Sequence, residues 1–516
     1  MKKRGALKYN LTVRNCAIGV AVAIFFIFCF TSRLIPPPEK DRAVFISVAE
    51  HLRSGSQLYV DIYDNKDPLF FYAVLLQRLL GPLGEYLFEL AMVIVAAVSA
   101  YVISQRVEQT TTKRKLWLLV AVPLLVTGQF WLPGLSHLSA TAFSLLACAL
   151  FLRGNMPLAG GCMGIIAFSK VIMFPLPIVF CLAYEMILWD GKKSLERLKS
   201  MLAGFVSVSI LVVLMLLVRD EWLGYVSAQQ NNFLYVNNGL LLDSSSFGSA
   251  FASRLRTIFL NSLRKVPLLF SLIVSMGFAG RVVIQSRKTH AGIGKKNKAF
   301  LLSTLATYVV SMLILGMTGI WDQHLQLLYF SQTLMLIFIV IHLRFRGVFA
   351  KALFGITVIV ASILLSGGLN VLYFVDSPRN VVEKLSLYSQ ASAETKALRA
   401  IYPDGTGFAR LGQNTHVIPY GAIDDELLCP EFQQYYFYDP ERLKRILDCA
   451  QTSPTLVIDR SFSHYEKAPL WWPKESQKQA MIENWNNFVA LGENIIEAQY
   501  ACEKIGDVRI CESVKK

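Results

Sequence analysis

Long apolar runs separated by short polar links constrain this chain more than any other feature of its sequence. Hydropathy identifies about eleven runs as candidate bilayer spans, and most of them approach the roughly 20 apolar residues that a spanning helix needs. The chain of 516 residues is only 17% charged, against about 25% in typical soluble domains. These features predict a polytopic α-helical membrane protein. The predicted spans are Cys16–Ile35, Glu85–Ser104, Leu116–Leu132, Leu138–Leu152, Pro157–Val171, Ile172–Trp189, Met201–Val218, Val266–Ile284, Phe300–Ile320, Leu325–His342 and Phe354–Phe374.

The distribution of basic residues predicts the orientation of these spans. The formal charge is +15, and lysine and arginine concentrate at the N-terminus and in alternate links, as expected for cytoplasmic segments. An odd number of spans then places the C-terminal tail on the outer side of the membrane, which is the periplasm of a bacterial inner membrane if the family resemblance given below holds. Membrane orientation therefore explains the net positive charge without a nucleic-acid partner. A cleaved signal peptide is the alternative at the N-terminus, but its apolar core would be only about 7 to 15 residues long.

Two domains are predicted: a transmembrane domain over residues 1–375, whose first outside loop covers residues 36–84, and a soluble domain over residues 376–516. In the tail, the sequences THVIPYG and TLVIDRS predict strands, and PERLKRILDCA predicts a helix. We expect a small periplasmic α/β domain. Its four cysteines indicate up to two disulfides in an oxidising compartment. Three pairings are open, and the most local one joins Cys429 to Cys449 and Cys502 to Cys511.

The first outside loop is unusually acidic for a chain so poor in charge. Carboxylates at a membrane face are costly and indicate function. Within Asp41–Ser54 the apolar residues recur at the spacing of one helical face, which predicts a helix lying in the membrane interface. Asp67 before Pro68 predicts a second helix, with Asp67 as its N-cap. The acidic residues are Glu39, Asp41, Glu50, Asp61, Asp64 and Asp67, and the apolar ones are Phe45, Val48, Ala49 and Leu52.

Several short motifs of this loop occur together. E-K-D follows the first span, and L-R-S-G, L-Y-V-D and N-K-D-P-L-F-F-Y come after it. Over about forty residues the loop resembles the first periplasmic loop of bacterial GT-C glycosyltransferases of the protein-mannosyltransferase type, relatives of the lipid A aminoarabinose transferase. The segments G-I-I-A-F-S-K and W-D-Q-H-L-Q-L-L resemble further family segments. The sequence departs from the family where Asp67 separates Lys66 from Pro68, and where Leu325 replaces a tyrosine after His324.

The resemblance implies a GT-C fold and an inverting glycosyltransferase of the cell envelope. Its donor would be a sugar on a polyprenyl phosphate, and its acceptor a glycolipid such as lipopolysaccharide, or a polysaccharide, on the periplasmic side. Membrane lipids would be further partners. No ligand spacing demands a cofactor, although carboxylates that meet in the loop leave a divalent metal open. The alternatives are a flippase or transporter of lipid-linked sugars and a non-catalytic assembly subunit.

The resemblance also implies roles for individual residues. Asp41 matches the second acid of the family motif and is the expected base for the acceptor hydroxyl, with Glu39 as its neighbour. Lys66 matches the family lysine and would stabilise the charge of the leaving phosphate. The alternatives are a solvated loop for the two acids and a headgroup anchor for Lys66.

Five further residues are candidates for substrate binding. Asp61 and Asp64 could orient the substrate or Lys66, although the pair Asp64-Asn65 is also typical of a turn. Lys170 interrupts an apolar stretch, which indicates either function or a side chain that extends to the interface, and it leaves open whether one or two spans lie there. His324 could contact the carrier phosphate or cap a helix, and His137 lies where relatives place a polar residue facing the cavity.

Overall fold

The computed structural model describes only part of the chain, and the structural statements below refer to that part. The described residues are 45, 48, 49, 51–62, 66–80, 84–108, 115–126, 135–230, 277, 280, 294–318, 327–342, 355, 409–412, 440–459, 462–464, 475–505 and 508–514. The predicted spans Cys16–Ile35, Val266–Ile284 and Phe354–Phe374 lie wholly or almost wholly outside it.

Apolar helices make up most of the described chain before residue 343. Four of them, Leu87–Val107, Ser136–Arg153, Gly191–Val218 and Lys295–Leu315, are long and apolar enough to cross a membrane. Each overlaps a predicted span, which confirms the helical membrane class while the total number of spans stays a prediction. The helices are α1 (Pro68–Leu79), α2 (Gly84–Val107), α3 (Leu118–Val126), α4 (Leu135–Arg153), α5 (Met156–Ala167), α6 (Pro175–Ile187), α7 (Gly191–Val218), α8 (Lys295–Thr318) and α9 (Leu327–His342).

One helix boundary differs clearly from the sequence prediction. Helix α7 begins at Gly191, so the basic residues predicted to form a link before Met201 lie on the helix itself. One of them, Arg197, reaches the buried carboxylate of Glu185 in α6 at 3.3 Å. The stretch around Ile172 forms two helices, α5 and α6, as the two predicted spans require, because the chain leaves the helical conformation at Lys170 (φ −161°, ψ 78°).

Glycine lets α5 and α7 pack at close range. A Cβ atom added to Gly160 would lie 1.8 Å from the carbonyl oxygen of Met201, and one added to Gly204 would lie 1.9 Å from that of Pro157. No side chain fits in such gaps, so both positions require glycine. Small residues at a helix interface allow this approach in membranes, where packing rather than the hydrophobic effect holds helices together. The pair carries the C-terminal end of α7 to the candidate site.

The tail contains a four-stranded mixed sheet with its own apolar core. The strand order is β1-β2-β4-β3, in which β1 and β2 are parallel and the other pairs antiparallel. Helix α10 connects the parallel pair, and the indole of Trp485 in α11 is fully buried. The predicted helix at PERLKRILDCA and the strand at TLVIDRS are confirmed. The elements are β1 (Ala409–Leu411), α10 (Pro440–Thr452), β2 (Thr455–Asp459), α11 (Glu475–Gln499), β3 (Tyr500–Ile505) and β4 (Val508–Ser513).

The disulfide between Cys502 and Cys511 is present and joins β3 to β4. Cys449 is also disulfide-bonded. Cys429, its predicted partner, and the segment THVIPYG lie outside the described residues.

Candidate functional site

The predicted interfacial helix buries the face expected from its periodicity. Phe45, Val48, Ala49 and Leu52 are all less than 9% exposed, and Gly55 follows with φ +104°, a conformation that favours glycine. The ring of Phe45 meets the edge of Phe70 at 4.6 Å between centroids. The loop is therefore folded back onto the start of α1 through aromatic packing.

A buried carboxylate, Glu221, ties this loop to the end of α7. It accepts hydrogen bonds from the Leu58 N–H at 2.9 Å, the Tyr72 hydroxyl at 2.6 Å and Arg219 Nε at 2.8 Å. Its side chain is fully buried, so these donors replace the water that the charge has lost. Arg219 also lies over the ring of Tyr72. One carboxylate thus joins the loop, α1 and α7.

Helical residues 222–230 continue from this point and contact the loop directly. A Cβ atom on Gly224 would lie 2.7 Å from the Cβ of Tyr59, so glycine is needed for the contact. Tyr59 itself has φ +67°, which is strained for a bulky residue. Its hydroxyl donates to the carbonyl oxygen of Lys66 at 2.6 Å. This contact fixes the backbone of the predicted phosphate-binding lysine, and the ammonium of Lys66 lies 5.7 Å from the centre of the Phe45 ring.

Asp67 does not cap α1, which corrects the sequence interpretation. It occupies the N-cap position, but its side chain makes no capping hydrogen bond. The carboxylate instead accepts from the Val171 N–H at 3.0 Å and from Gln229 Nε2 at 3.1 Å. Burial and the nearby charge of Asp67 raise the pKa of the Tyr225 hydroxyl. Pro68 lacks an N–H, so α1 begins without needing this side chain as a cap.

The electrostatic environment of Asp67 is mixed. Asp67 is only 6% exposed, and this burial raises the pKa of its carboxyl to about 6. The hydrogen bond from Val171, the charges of Lys170 and Lys66 and the hydrogen bond from Gln229 act in the opposite direction. At pH 7 the group is mostly ionised, and the charges of Lys170 and Lys66 both stabilise this buried carboxylate.

Lys170 lies in the break between α5 and α6. The Val171 N–H beside it points to Asp67, and the carbonyl oxygen of Phe168 accepts from the Leu69 N–H at 2.9 Å. Two hydrogen bonds thus connect the start of α1 to the break. Lys66 and Lys170, 104 positions apart in the chain, both act electrostatically on one carboxylate.

Comparison with known proteins identifies a similar fold. No family model and no curated protein sequence matches the chain. Among solved structures, the chain is similar to ArnT from Cupriavidus metallidurans, crystallised bound to undecaprenyl phosphate, with a TM-score of 0.51 and 12% identity over 97% of this chain and 98% of that one. The chain has an ArnT-like fold. This confirms the fold implied by the loop motifs, since ArnT is a GT-C protein.

The ArnT-like fold brings together only some of the predicted site residues. Lys66 and Lys170 share Asp67, as described above. Asp61 is exposed and accepts the Gln57 N–H at 2.7 Å, a contact within its own turn, while His137 is buried in the first turn of α4. Within the described residues, no group of three metal-ligating side chains could hold a metal ion. Asp41, Glu39, Asp64 and His324 lie outside the described residues.

Sequence reasoning missed the residues that hold this part of the ArnT-like fold in place. Nothing in the sequence distinguishes Tyr72, whose hydroxyl donates to Glu221, or Tyr225, which lies near Asp67, from other aromatic residues near the membrane. The available signals were the position of Glu221, three residues after an apolar span, and the departure of Asp67 from the family pattern. Gln229 carries no signal of its own, because one amide in a polar segment is unremarkable without its contact.

Proposed function

We propose that this protein is a membrane glycosyltransferase that moves a sugar from a polyprenyl phosphate to an envelope glycolipid or polysaccharide. The observation that carries the proposal is the ArnT-like fold over nearly the whole chain, taken together with the loop motifs. The neighbouring structure holds undecaprenyl phosphate, a polyprenyl phosphate. Reaction on the periplasmic side of an inner membrane follows from the predicted orientation.

The chemistry assigned to the site is a single displacement. The acceptor oxygen forms a bond to the anomeric carbon, the bond from that carbon to the phosphate oxygen breaks, and its electron pair stays on the phosphate. Asp41 takes the proton of the acceptor hydroxyl as general base, and Glu39 is placed beside it by the motif. Attack opposite the leaving group inverts the anomeric configuration.

Lys66 is assigned to the leaving phosphate. The Tyr59 hydroxyl and the neighbouring Asp67 network fix its backbone, and a fixed cation stabilises developing charge without reorganising. Lys170 is assigned to the same phosphate, because the structure brings it to the same carboxylate. Asp61, Asp64, His137 and His324 remain candidates for contacts with sugar or carrier.

Substitution in membranes tests these assignments. We expect Asp41→Asn to abolish sugar transfer while expression and insertion stay unchanged, because the amide cannot accept the proton. Asp220→Asn is the matched control, since Asp220 is exposed in a left-handed turn that asparagine tolerates. Unchanged transfer by Asp41→Asn would refute its role as base.

Lys66→Ala should weaken use of the donor. The expected result is reduced transfer at limiting donor, with partial recovery at high donor, because the phosphate loses a cation. Lys193→Ala is the control, since Lys193 is highly exposed at the start of α7. Wild-type kinetics at limiting donor would count against Lys66.

A further inference from the structure

Asp67 connects three segments that are distant in the sequence. Its two carboxylate oxygens accept from Val171 in the break between α5 and α6 and from Gln229 after α7, while its backbone begins α1. Tyr225, one helical turn before Gln229, is close enough for the charge of Asp67 to raise the pKa of its hydroxyl. A buried carboxylate with donors from two other segments holds all three in fixed relation.

The same contacts bring the backbones of two lysines to one carboxylate. Lys66 precedes Asp67 and has its carbonyl held by Tyr59. Lys170 precedes Val171, whose N–H is bound by Asp67. A second link, from Leu69 to Phe168, prevents the break from rotating about the first. The positions of both lysine backbones therefore depend on the Asp67 carboxylate.

The charges at this point favour a bound anion. Two lysines and one carboxylate leave an excess of one positive charge around a buried group. Without the carboxylate the two ammonium groups would repel each other in a region of low dielectric. The carboxylate offsets this repulsion, and the remaining positive charge still attracts an anion such as a phosphate.

We propose that Asp67 is a positioning residue that holds Lys66 and Lys170 together as one two-lysine site for the phosphate of the polyprenyl carrier. This proposal rests on the proposed function above, because the identity of the anion comes from it. Asp67 itself does not touch the phosphate in this account and acts through the lysines. A purely structural carboxylate would tie the same segments without any energetic coupling to a ligand.

A double-mutant cycle on carrier binding tests the proposal. The dissociation constant of undecaprenyl phosphate is measured for the purified full chain in detergent micelles, for wild type, Asp67→Asn, Lys170→Gln and the double variant. We expect each single substitution to weaken binding about tenfold, the size of one charged contact. The double variant should lose clearly less than the roughly hundredfold of two independent effects, because both changes remove the contact of Lys170 and Asp67→Asn adds only the displacement of Lys66.

A second variant covers the case in which Asp67→Asn does not fold. Gln229→Ala removes one donor to the carboxylate and leaves the Val171 hydrogen bond in place, so binding should weaken by about threefold to fivefold in the same direction. Asp220→Asn serves as the control and should bind as wild type does. In transfer assays, the KM for the donor should rise in Asp67→Asn while the KM for the acceptor stays constant.

The outcomes separate the two proposals. Additive losses in the cycle, or unchanged or tighter binding by Asp67→Asn, would overturn the positioning role while leaving the proposed function intact. Failure of the wild-type protein to bind undecaprenyl phosphate would overturn the carrier itself, and with it both proposals. Coupled losses with a constant acceptor KM would support the two-lysine site.

Discussion

Replacing Glu221 by alanine should loosen the first polar loop from the rest of the molecule. The carboxylate is fully buried and holds three donors, from the backbone of Leu58 and the side chains of Tyr72 and Arg219. Its removal leaves these donors without their acceptor, and breaking a buried ion pair from one side typically costs about 3 to 5 kcal/mol. Arg219 is 36% exposed and can regain water, so we expect the lower end, about 3 kcal/mol.

Thermal unfolding of the purified full chain measures this loss, followed by tryptophan fluorescence because Trp222 adjoins the site. Asp190→Ala is the matched control at the other end of α7, where the carboxylate pairs with Lys193 and both side chains are more than 70% exposed. Such a pair contributes about 0 to 1 kcal/mol. The Tm of Glu221→Ala should therefore fall several times further than that of Asp190→Ala. Equal shifts would refute the reasoning that Glu221 anchors the loop.

Two further predictions concern packing and pH. Gly204→Ala should destabilise the protein by about 1 to 3 kcal/mol through overpacking against Pro157, whereas Gly161→Ala, whose new Cβ would have its nearest contact at 3.5 Å, should be neutral or stabilising by thermal unfolding. Burial raises the pKa of Asp67 from 3.8 to about 6. Between these two values of pH, the folded protein holds a proton that the unfolded chain has released. Stability should then rise as pH falls from about 6 to 4, by up to about 3 kcal/mol from this group, and Asp67→Asn should remove that part of the pH dependence. A pH profile of Asp67→Asn parallel to that of wild type would contradict the assignment.

Periodicity and composition predicted the membrane helices and the interfacial helix because both depend on local chemistry. The apolar residues Phe45, Val48, Ala49 and Leu52 share a face wherever that segment is helical, and the structure buries that face. In the tail, a proline that starts a helix and a β-branched run between turn residues likewise act over a few positions. Such features need no knowledge of distant contacts.

The role of Asp67 could not be predicted in this way. An aspartate before a proline has the local pattern of an N-cap, and only the approach of residues 171 and 229 directs its carboxylate elsewhere. The same holds for Glu221, whose three donors come from two segments more than 140 positions away and from its own turn. Long-range hydrogen bonds of buried charges follow from tertiary structure. The only local sign of them in the sequence is a charged residue where burial would be energetically costly.

Transfer of a sugar from a polyprenyl phosphate can be measured in a single reconstitution. The purified full chain is placed in vesicles with a labelled polyprenyl-phosphate sugar and an envelope acceptor fraction, and the free polyprenyl phosphate and the new glycoside are quantified together. We predict equal amounts of both products with the wild-type protein and neither with Asp41→Asn. Movement of intact donor between leaflets with no glycoside formed would contradict the account and identify a flippase instead.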